Sequence, residues 1–422
     1  MDEIRIIVSQ FGARMHYAVP VTFERAGMLH RLYTDFYASP RMRRILSIAN
    51  HYLRLMFLRR AAERYHPEVP LNKIKMQPLL GIFYNFGRLV FRKNAERHHR
   101  MTVKIVEKFH QKISPSDLKK ANVLYTYVGE GLPLAVSPLT NKHFIVSEMY
   151  IAMQSWELLI EEMERWPEWC DVSKIKHLKK IAAIDETRTI KQLEASDLII
   201  CPSEFVANGV KRDYLHKKVK VIPYGYDFSF EHHINSNGFS RDLKKLKIIF
   251  VGSIDLRKGL PYLWQAAKML QPSAYPQVEF HLVGSLDHLP PQIITKLDQV
   301  FYLHGHLPRF RVGSLLANSD IFVLPSIAEG SATVVYEALA AGLPVITTPN
   351  SGSVVRNGIE GFLVPIRDHQ ALAERISQLV ADPELRRKMS RNARVRAGEF
   401  TVTAYGNRLI GAIKTGWYEK YG

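Results

Sequence analysis

The stretch DIFVLPSIAEGSATVVYEALAAGLPVITTP, residues 320–349, decides the fold. Ile321–Pro325 is a short apolar run of the kind a strand buried on both faces requires. Ser331 stands as a helix N-cap, and Ala332–Ala341 reads as a helix stopped by Gly342 and Pro344. Val345–Thr348 follows as a second apolar run, completing one crossover of a parallel sheet. Two carboxylates frame the turn. Glu329 precedes the helix and Glu337 lies on it, eight positions later. The helix rises roughly 9 Å from Ser331 to Glu337, at about 1.5 Å per residue. A ligand lying along its start meets a carboxylate at each end, with the amides of Ser331–Thr333 between them. Carboxylates accept hydrogen bonds from hydroxyls, which suits sugar or ribose diols. Two glutamates so spaced arise easily by chance, but the strand, cap, helix and stop around them argue against chance.

Working outward, IIFVGSIDLRKGLPYL (248–263) has the same design. Gly252 closes a strand, Leu260-Pro261 opens a helix, and Arg257 and Lys258 stand between. Two cations beside a helix N-terminus suit a diphosphate, although loops also carry solvated bases. FHLVGSLDH (280–288) places Gly284 directly after a strand, where glycine serves close backbone approach or a tight turn. Further strands are expected at Lys247–Val251, Val278–Val283, Phe301–His304 and Phe362–Val364. In the first half they are expected at Ile4–Ser9, Val123–Tyr127, His143–Ser147, within 196–203 and within 218–227, with helical stretches between the first two. Helices are expected at Glu157–Arg165, Ser173–Ala195 and Glu204–Tyr214.

Alternating strands and helices predict an α/β protein with two parallel-sheet halves. The expected division is 1–227, a polar linker at 228–245 containing Asn235-Ser236-Asn237-Gly238, a second domain at 246–395, and a C-terminal helix at 396–422 packing back on the first domain. In open parallel sheets ligands sit beyond the carboxyl ends of the strands, which is where the three junctions lie.

The 422 residues carry 58 Lys and Arg against 40 Asp and Glu, a net charge of +18. Apolar residues make up 46% and charged residues 23%, so extensive disorder is excluded. Cys170 and Cys201 cannot build a disulfide framework or a four-cysteine zinc site. The opening MDEIRIIVSQFG lacks a basic region followed by a long apolar one, so no secretory leader is expected. No uncharged apolar run is long enough for a membrane span.

The charge is concentrated. Residues 41–112 hold 17 Lys and Arg and 4 Asp and Glu, a net of +13. Apolar residues interleave with the bases in this expected helical insertion. On a helix, Ile45, Ile48, Tyr52, Leu55 and Met56 recur at three- and four-residue steps, with Arg44, Arg54 and Arg59 off the stripe. Two readings stand: an interfacial helix on an anionic bilayer, or a surface helix whose stripe faces the core. Nucleic acid is not expected, because no zinc-finger spacing or aromatic RNA-reading motif occurs.

Taken together, EGSATVVYEALAAGLPVI, VGSIDLRKG and CPSEFVANGV followed by VIPYGYD resemble the retaining family-4 glycosyltransferases of GT-B fold. The resemblance is strongest over 195–370, and FTVTAYGNRLI looks like the family's C-terminal helix. It implies two Rossmann-like domains facing a cleft and transfer of a sugar from a nucleoside-diphosphate sugar to a hydroxyl acceptor with retention. Arg257 and Lys258 would neutralise the diphosphate, Glu329 would contact the transferred sugar, and Glu337 would bind the ribose. Gly252, Ser253, Gly284, Gly330, Ser331, Ala332 and Thr333 would surround the donor, with Gly12 facing it from the first half. Glu148, in HFIVSEMYI, stands where the family has a histidine near the donor sugar, and is expected among the catalytic residues; a structural carboxylate is the alternative. The sequence departs from the family in having Ser253 where an arginine is common and a single Gly12 where glycines are paired. The resemblance implies no metal and no resident cofactor, and the chain has no Asp-x-Asp. The donor would be a UDP- or GDP-sugar, and the acceptor a polysaccharide, lipid-linked or envelope glycan intermediate. The expected place is the cytoplasm, at the inner face of a membrane where the basic segment docks. A non-catalytic nucleotide-sugar or glycan-binding protein is the alternative function.

Overall fold

The computed structural model describes residues 3–53, 56–91, 94–213, 219–226, 245–270 and 277–422. Two parallel sheets organise it. The first holds β1 (Ile6–Ser9), β2 (Leu29–Thr34), β3 (Ile74–Met76), β4 (Val123–Tyr127), β5 (Phe144–Glu148), β6 (Leu198–Cys201) and β7 (Val219–Val221), in the order β3-β2-β1-β4-β5-β6-β7. The second holds β8 (Leu246–Val251), β9 (Val278–Val283), β10 (Tyr302–Leu303), β11 (Ile321–Leu324), β12 (Val345–Thr347) and β13 (Gly361–Leu363), in the order β10-β9-β8-β11-β12-β13. Helices cover both faces, so the central strands β1, β4, β5, β6 and β11 are buried at every residue. That burial is why they read as unbroken apolar runs in the sequence.

Strand order reverses between β1 and β4 in the first sheet and between β8 and β11 in the second. Each reversal sends neighbouring crossovers to opposite faces and opens a crevice at the strands' carboxyl ends. The loops after β8 and β11 flank one such crevice.

The structure corrects the reading of the region between β1 and β4, which holds the strands β2 and β3 among its helices. The basic segment therefore contributes the edge strand β3 to the sheet. Around that strand it forms the helices Pro40–Leu53, Met56–Ala62, Pro78–Val90 and Ala95–Gln111. The stripe expected at 45–56 does not face the core: Ile45, Ile48 and Tyr52 are exposed. Leu55 lies outside the described residues, as does nearly all of the expected linker.

The two halves are joined by polar contacts. Tyr262 donates to Glu162 at 2.7 Å, and Arg367 donates to Glu161 at 2.6 Å and to Glu162 at 2.5 Å. After the helix Pro383–Gly398, the last helix, Val402–Tyr421, crosses to the first half. There Lys420 pairs with Asp197 at 2.8 Å, and the Trp417 ring meets Phe144 at 6.0 Å.

Candidate functional site

A cavity of about 460 Å³ opens beyond the carboxyl ends of β8 and β11. Lys258, Glu329, Glu337, Arg309, Arg59 and His306 line it, with Gly252 and Ser331–Val334 in the wall. The turn Leu256–Lys258 is capped by the Asp255 carboxylate, which accepts from the Lys258 amide at 3.1 Å. Gly259 follows with φ +71°, and a Cβ there would lie 1.9 Å from the Pro325 carbonyl oxygen. Only glycine lets the loop after β8 dock on the end of β11. Docking presents Lys258 to Glu329, with Nζ and Oε1 2.8 Å apart. The Arg257 carbonyl accepts from the Ile327 amide at 2.8 Å, tying the two loops together.

Arg257 stands behind this pair, its guanidinium 3.7 Å from Glu329 and 3.9 Å from Asp255. Burial pushes the Asp255 carboxyl up, against the pull of Arg257 and Lys258. Gly284 does not line the cavity. A Cβ on it would sit 2.0 Å from the Gly252 carbonyl, so close backbone approach is what it serves. Ser253 is exposed at the rim.

The helix after β11 runs Thr333–Ala340, with Ala332 as its N-cap. Ser331 is therefore not the cap. Its hydroxyl meets the Tyr336 hydroxyl at 2.9 Å and donates to the Gly352 carbonyl at 3.1 Å. The Ala332 amide is spent on the Ser351 carbonyl at 3.0 Å. The amides of Thr333 and Val334, two residues of the cavity wall, have no acceptor among the described residues. Such amides, beside a lysine, make a place for an anion. Glu337 sits farther along, 3.4 Å from Arg309, and burial raises its pKa against the pull of that arginine.

A second cavity, about 690 Å³, lies in the first half. Phe11, Arg14, Tyr84, Tyr150 and Trp156 are among its walls. Arg14 pairs with Glu130 and covers the rings of Tyr150 at 4.2 Å and Tyr127 at 4.6 Å. The loop that delivers it is strained. Met15, His16 and Tyr17 have φ of +45°, +49° and +66°, a backbone that costs an L-residue about 1–2 kcal/mol each. Gly12, with φ +91°, precedes them and donates its amide to Asp35 at 2.9 Å. His16 faces the other half: burial and Arg309 lower its pKa.

Tyr150, in the wall of the second cavity, touches Gly330, the residue after Glu329 of the first. Ser203 adds a second tie, donating to the Gly330 carbonyl at 2.6 Å. Gly330 is thus a contact between the halves.

Glu148 is elsewhere. It is 1% exposed, and its carboxylate accepts from the Tyr224 hydroxyl at 3.0 Å and from Tyr125. Burial pushes its pKa up. A carboxylate enclosed this way holds tyrosines together, and the structural alternative describes it better than a role at the sugar.

The structure therefore brings Gly252, Lys258, Glu329, Ser331, Ala332, Thr333 and Glu337 to one cavity and keeps Arg257 beside it. Sequence reasoning missed Arg309, in the segment HGHLPRFR after β10, and Arg59, which the first half contributes. The bases in HGHLPRFR were visible, but nothing local ties them to Glu337. Arg59 reaches the cavity only through the packing of the two halves.

Residues 233–396 match the family of glycosyl transferases group 1. The capsular polysaccharide biosynthesis glycosyltransferase CapM of Staphylococcus aureus is 31% identical over 219 residues, 47% of this chain and 56% of that protein. The UDP-Gal:alpha-D-GlcNAc-diphosphoundecaprenol alpha-1,3-galactosyltransferase of Escherichia coli is 30% identical over 233 residues, 52% of this chain and 57% of that one. The chain thus spans about half the length of these sequence relatives. Among solved structures, sucrose-phosphate synthase from Thermosynechococcus elongatus superimposes with a TM-score of 0.61 at 17% identity, covering 99% of this chain and 100% of that one. The whole chain has the GT-B fold, and the stretch 233–396, which holds the Lys258–Glu329 pair, matches the glycosyl transferases group 1 family.

Proposed function

We propose that this protein is a retaining, metal-independent hexosyltransferase that moves a sugar from a nucleoside-diphosphate sugar to a hydroxyl of a polysaccharide or lipid-linked glycan intermediate. The observation that carries the reading is the first cavity. It sets Lys258, the unspent amides of Thr333 and Val334, and Glu329 around one space, with Glu337 farther along the same helix. Negative charge grows on the leaving diphosphate as the glycosidic bond breaks. A cation and amides already in place stabilise that charge without reorganising at the moment of reaction. Glu329 keeps Lys258 neutralised until the donor arrives and then accepts from a sugar hydroxyl. Glu337 accepts from the ribose diol. The second cavity receives the acceptor, whose hydroxyl reaches the sugar where Tyr150 meets Gly330. The relatives named for capsular polysaccharide and diphosphoundecaprenol-linked sugars support the acceptor class.

The test is turnover against a panel of UDP- and GDP-sugars with a hydroxyl acceptor, with product configuration read by NMR. Retained configuration and undiminished turnover in chelator are expected; an inverted product removes the retaining mechanism. Exposed Ser253, outside the cavity, favours a second reading as a nucleotide-sugar-binding protein without transfer. Any enzyme-dependent glycosylated product excludes it.

A further inference from the structure

The helix Pro78–Val90 is apolar on two sides. Its inner side is spent on the protein: Leu80 is buried, Gly81 packs on Asp35, Gly87 on Met101, and the Tyr84 ring meets Phe11 at 5.3 Å. Its outer side carries Leu79, Ile82, Phe83, Phe86 and Val90 at three- and four-residue steps, all exposed. Leu79 is 67%, Phe83 58% and Phe86 63% exposed. The helix Pro40–Leu53 repeats the pattern with Ile45 at 66% and Tyr52 at 78%, and Ile48 between them. The two helices start close together. Each leaves the carboxyl end of one of two paired strands, β2 and β3, where Thr34 pairs with Met76 and the Tyr37 amide donates to the Met76 sulfur at 3.2 Å. Arg41, Arg44 and Lys75, all exposed, neighbour these apolar residues along the chain, whereas Arg88 lies on the opposite side of its helix from Leu79, Phe83 and Phe86.

We propose that this two-helix face docks on an anionic lipid bilayer. Exposed apolar rows of this length mark a place that something covers. A second copy of the chain is a poor cover, because a two-fold contact would set one +13 segment against another. An anionic bilayer takes both halves of the pattern, the apolar rows at the acyl boundary and the bases at the headgroups. The face lies on the membrane rather than crossing it, since no helix among the described residues is long and apolar enough to span. Tyr84, on the inner side of the same helix, lines the second cavity. An acceptor anchored in the leaflet would keep its lipid beneath this helix and enter that cavity with its head. That last clause rests on the proposed transferase reading, whereas the docking does not.

The test is flotation of the full chain with phosphatidylcholine–phosphatidylglycerol vesicles and with pure phosphatidylcholine vesicles. Binding to the mixed vesicles at low salt, weakening as salt rises, is expected, with little binding to pure phosphatidylcholine. The double variant F83E/F86E should lose roughly tenfold or more in vesicle affinity. Its thermal midpoint and its turnover on a lipid-free acceptor should stay unchanged, because both side chains face solvent. A wild-type chain that ignores the mixed vesicles overturns the proposal, and so does equal binding to both vesicle types. Sedimentation showing a dimer that F83E/F86E dissolves, without vesicle binding, assigns the face to a second copy instead. Vesicle binding by a chain that transfers no sugar would leave the docking standing and remove the transferase reading.

Discussion

Tyr150 of the first half and Gly330 of the second touch backbone to backbone, so closely that a Cβ on Gly330 would lie 1.8 Å from the Tyr150 carbonyl oxygen. Glu329 precedes Gly330, and Tyr150 walls the second cavity, so this contact fixes how the two cavities stand to each other, the proposed donor and acceptor spaces. Gly330→Ala must push the halves apart. A displacement near 1 Å costs about 10²-fold where two reactants must be aligned. We expect kcat/KM to fall by that order while the thermal midpoint moves little. Unchanged kinetics would mean that this contact opens during turnover.

Lys258→Ala removes the cation held 2.8 Å from Glu329. Arg257, at 3.7 Å, still neutralises part of the carboxylate, so the fold should persist. The expected loss in kcat is roughly 10²–10³-fold at saturating donor, the magnitude seen when one charge-stabilising group is removed. A variant that keeps wild-type kcat takes Lys258 out of the chemistry.

Glu337→Ala should raise the donor KM by about tenfold and spare kcat, since a ribose contact is made equally in ground and transition states. Arg309 lies 3.4 Å from Glu337 at a partly exposed site, so the two substitutions should not be additive. A double-mutant cycle on donor KM should read a coupling of about 0.5–1 kcal/mol. Zero coupling would show that the ion pair does not shape the ribose contact.

Much of the second half was legible because its signals are local. A strand buried on both faces reads as an apolar run, and Lys258 and Glu329 lie in the loops that directly follow β8 and β11. The losses have physical causes. LHRLYT, which forms β2, puts His30 and Arg31 in mid-strand, and IKM, which forms β3, is a three-residue edge strand with weak alternation. The outward stripe on Pro78–Val90 escaped for another reason. Periodicity shows that a helix has an apolar face and is silent on which way it turns. Ser331 was misplaced as the cap by one residue, because its hydroxyl is claimed by Tyr336 and Gly352, partners a sequence does not display.

Arg59 enters the first cavity from the opposite half, paired with Glu63 at 3.0 Å just past the end of its own helix. Arg59→Ala removes a cation that the packing of the two halves brings to this cavity. Donor KM should rise several-fold, and more steeply at low ionic strength, where a surface charge is least screened. A salt-independent KM equal to that of the wild type would confine Arg59 to its Glu63 pair.

Glu148 offers a test that separates structure from chemistry. Burial pushes its carboxyl above the ordinary value, while the hydroxyls of Tyr125 and Tyr224 pull the other way. Between the unfolded and the folded pKa, the folded chain binds more protons than the unfolded one. Stability from this group is therefore full below the unfolded pKa and declines as pH rises through the folded pKa. Glu148→Gln has no proton to lose, and its amide oxygen still accepts from a tyrosine hydroxyl. The unfolding free energy of the variant minus that of the wild type should grow as pH rises through this window, in chemical denaturation series at several pH values. Parallel pH profiles would show that the carboxyl ionises alike in both states. Donor KM and kcat at neutral pH should stay near wild type in the Gln variant, because both oxygens face tyrosines rather than the cavity. A large kcat loss without a stability change would return Glu148 to the catalytic set.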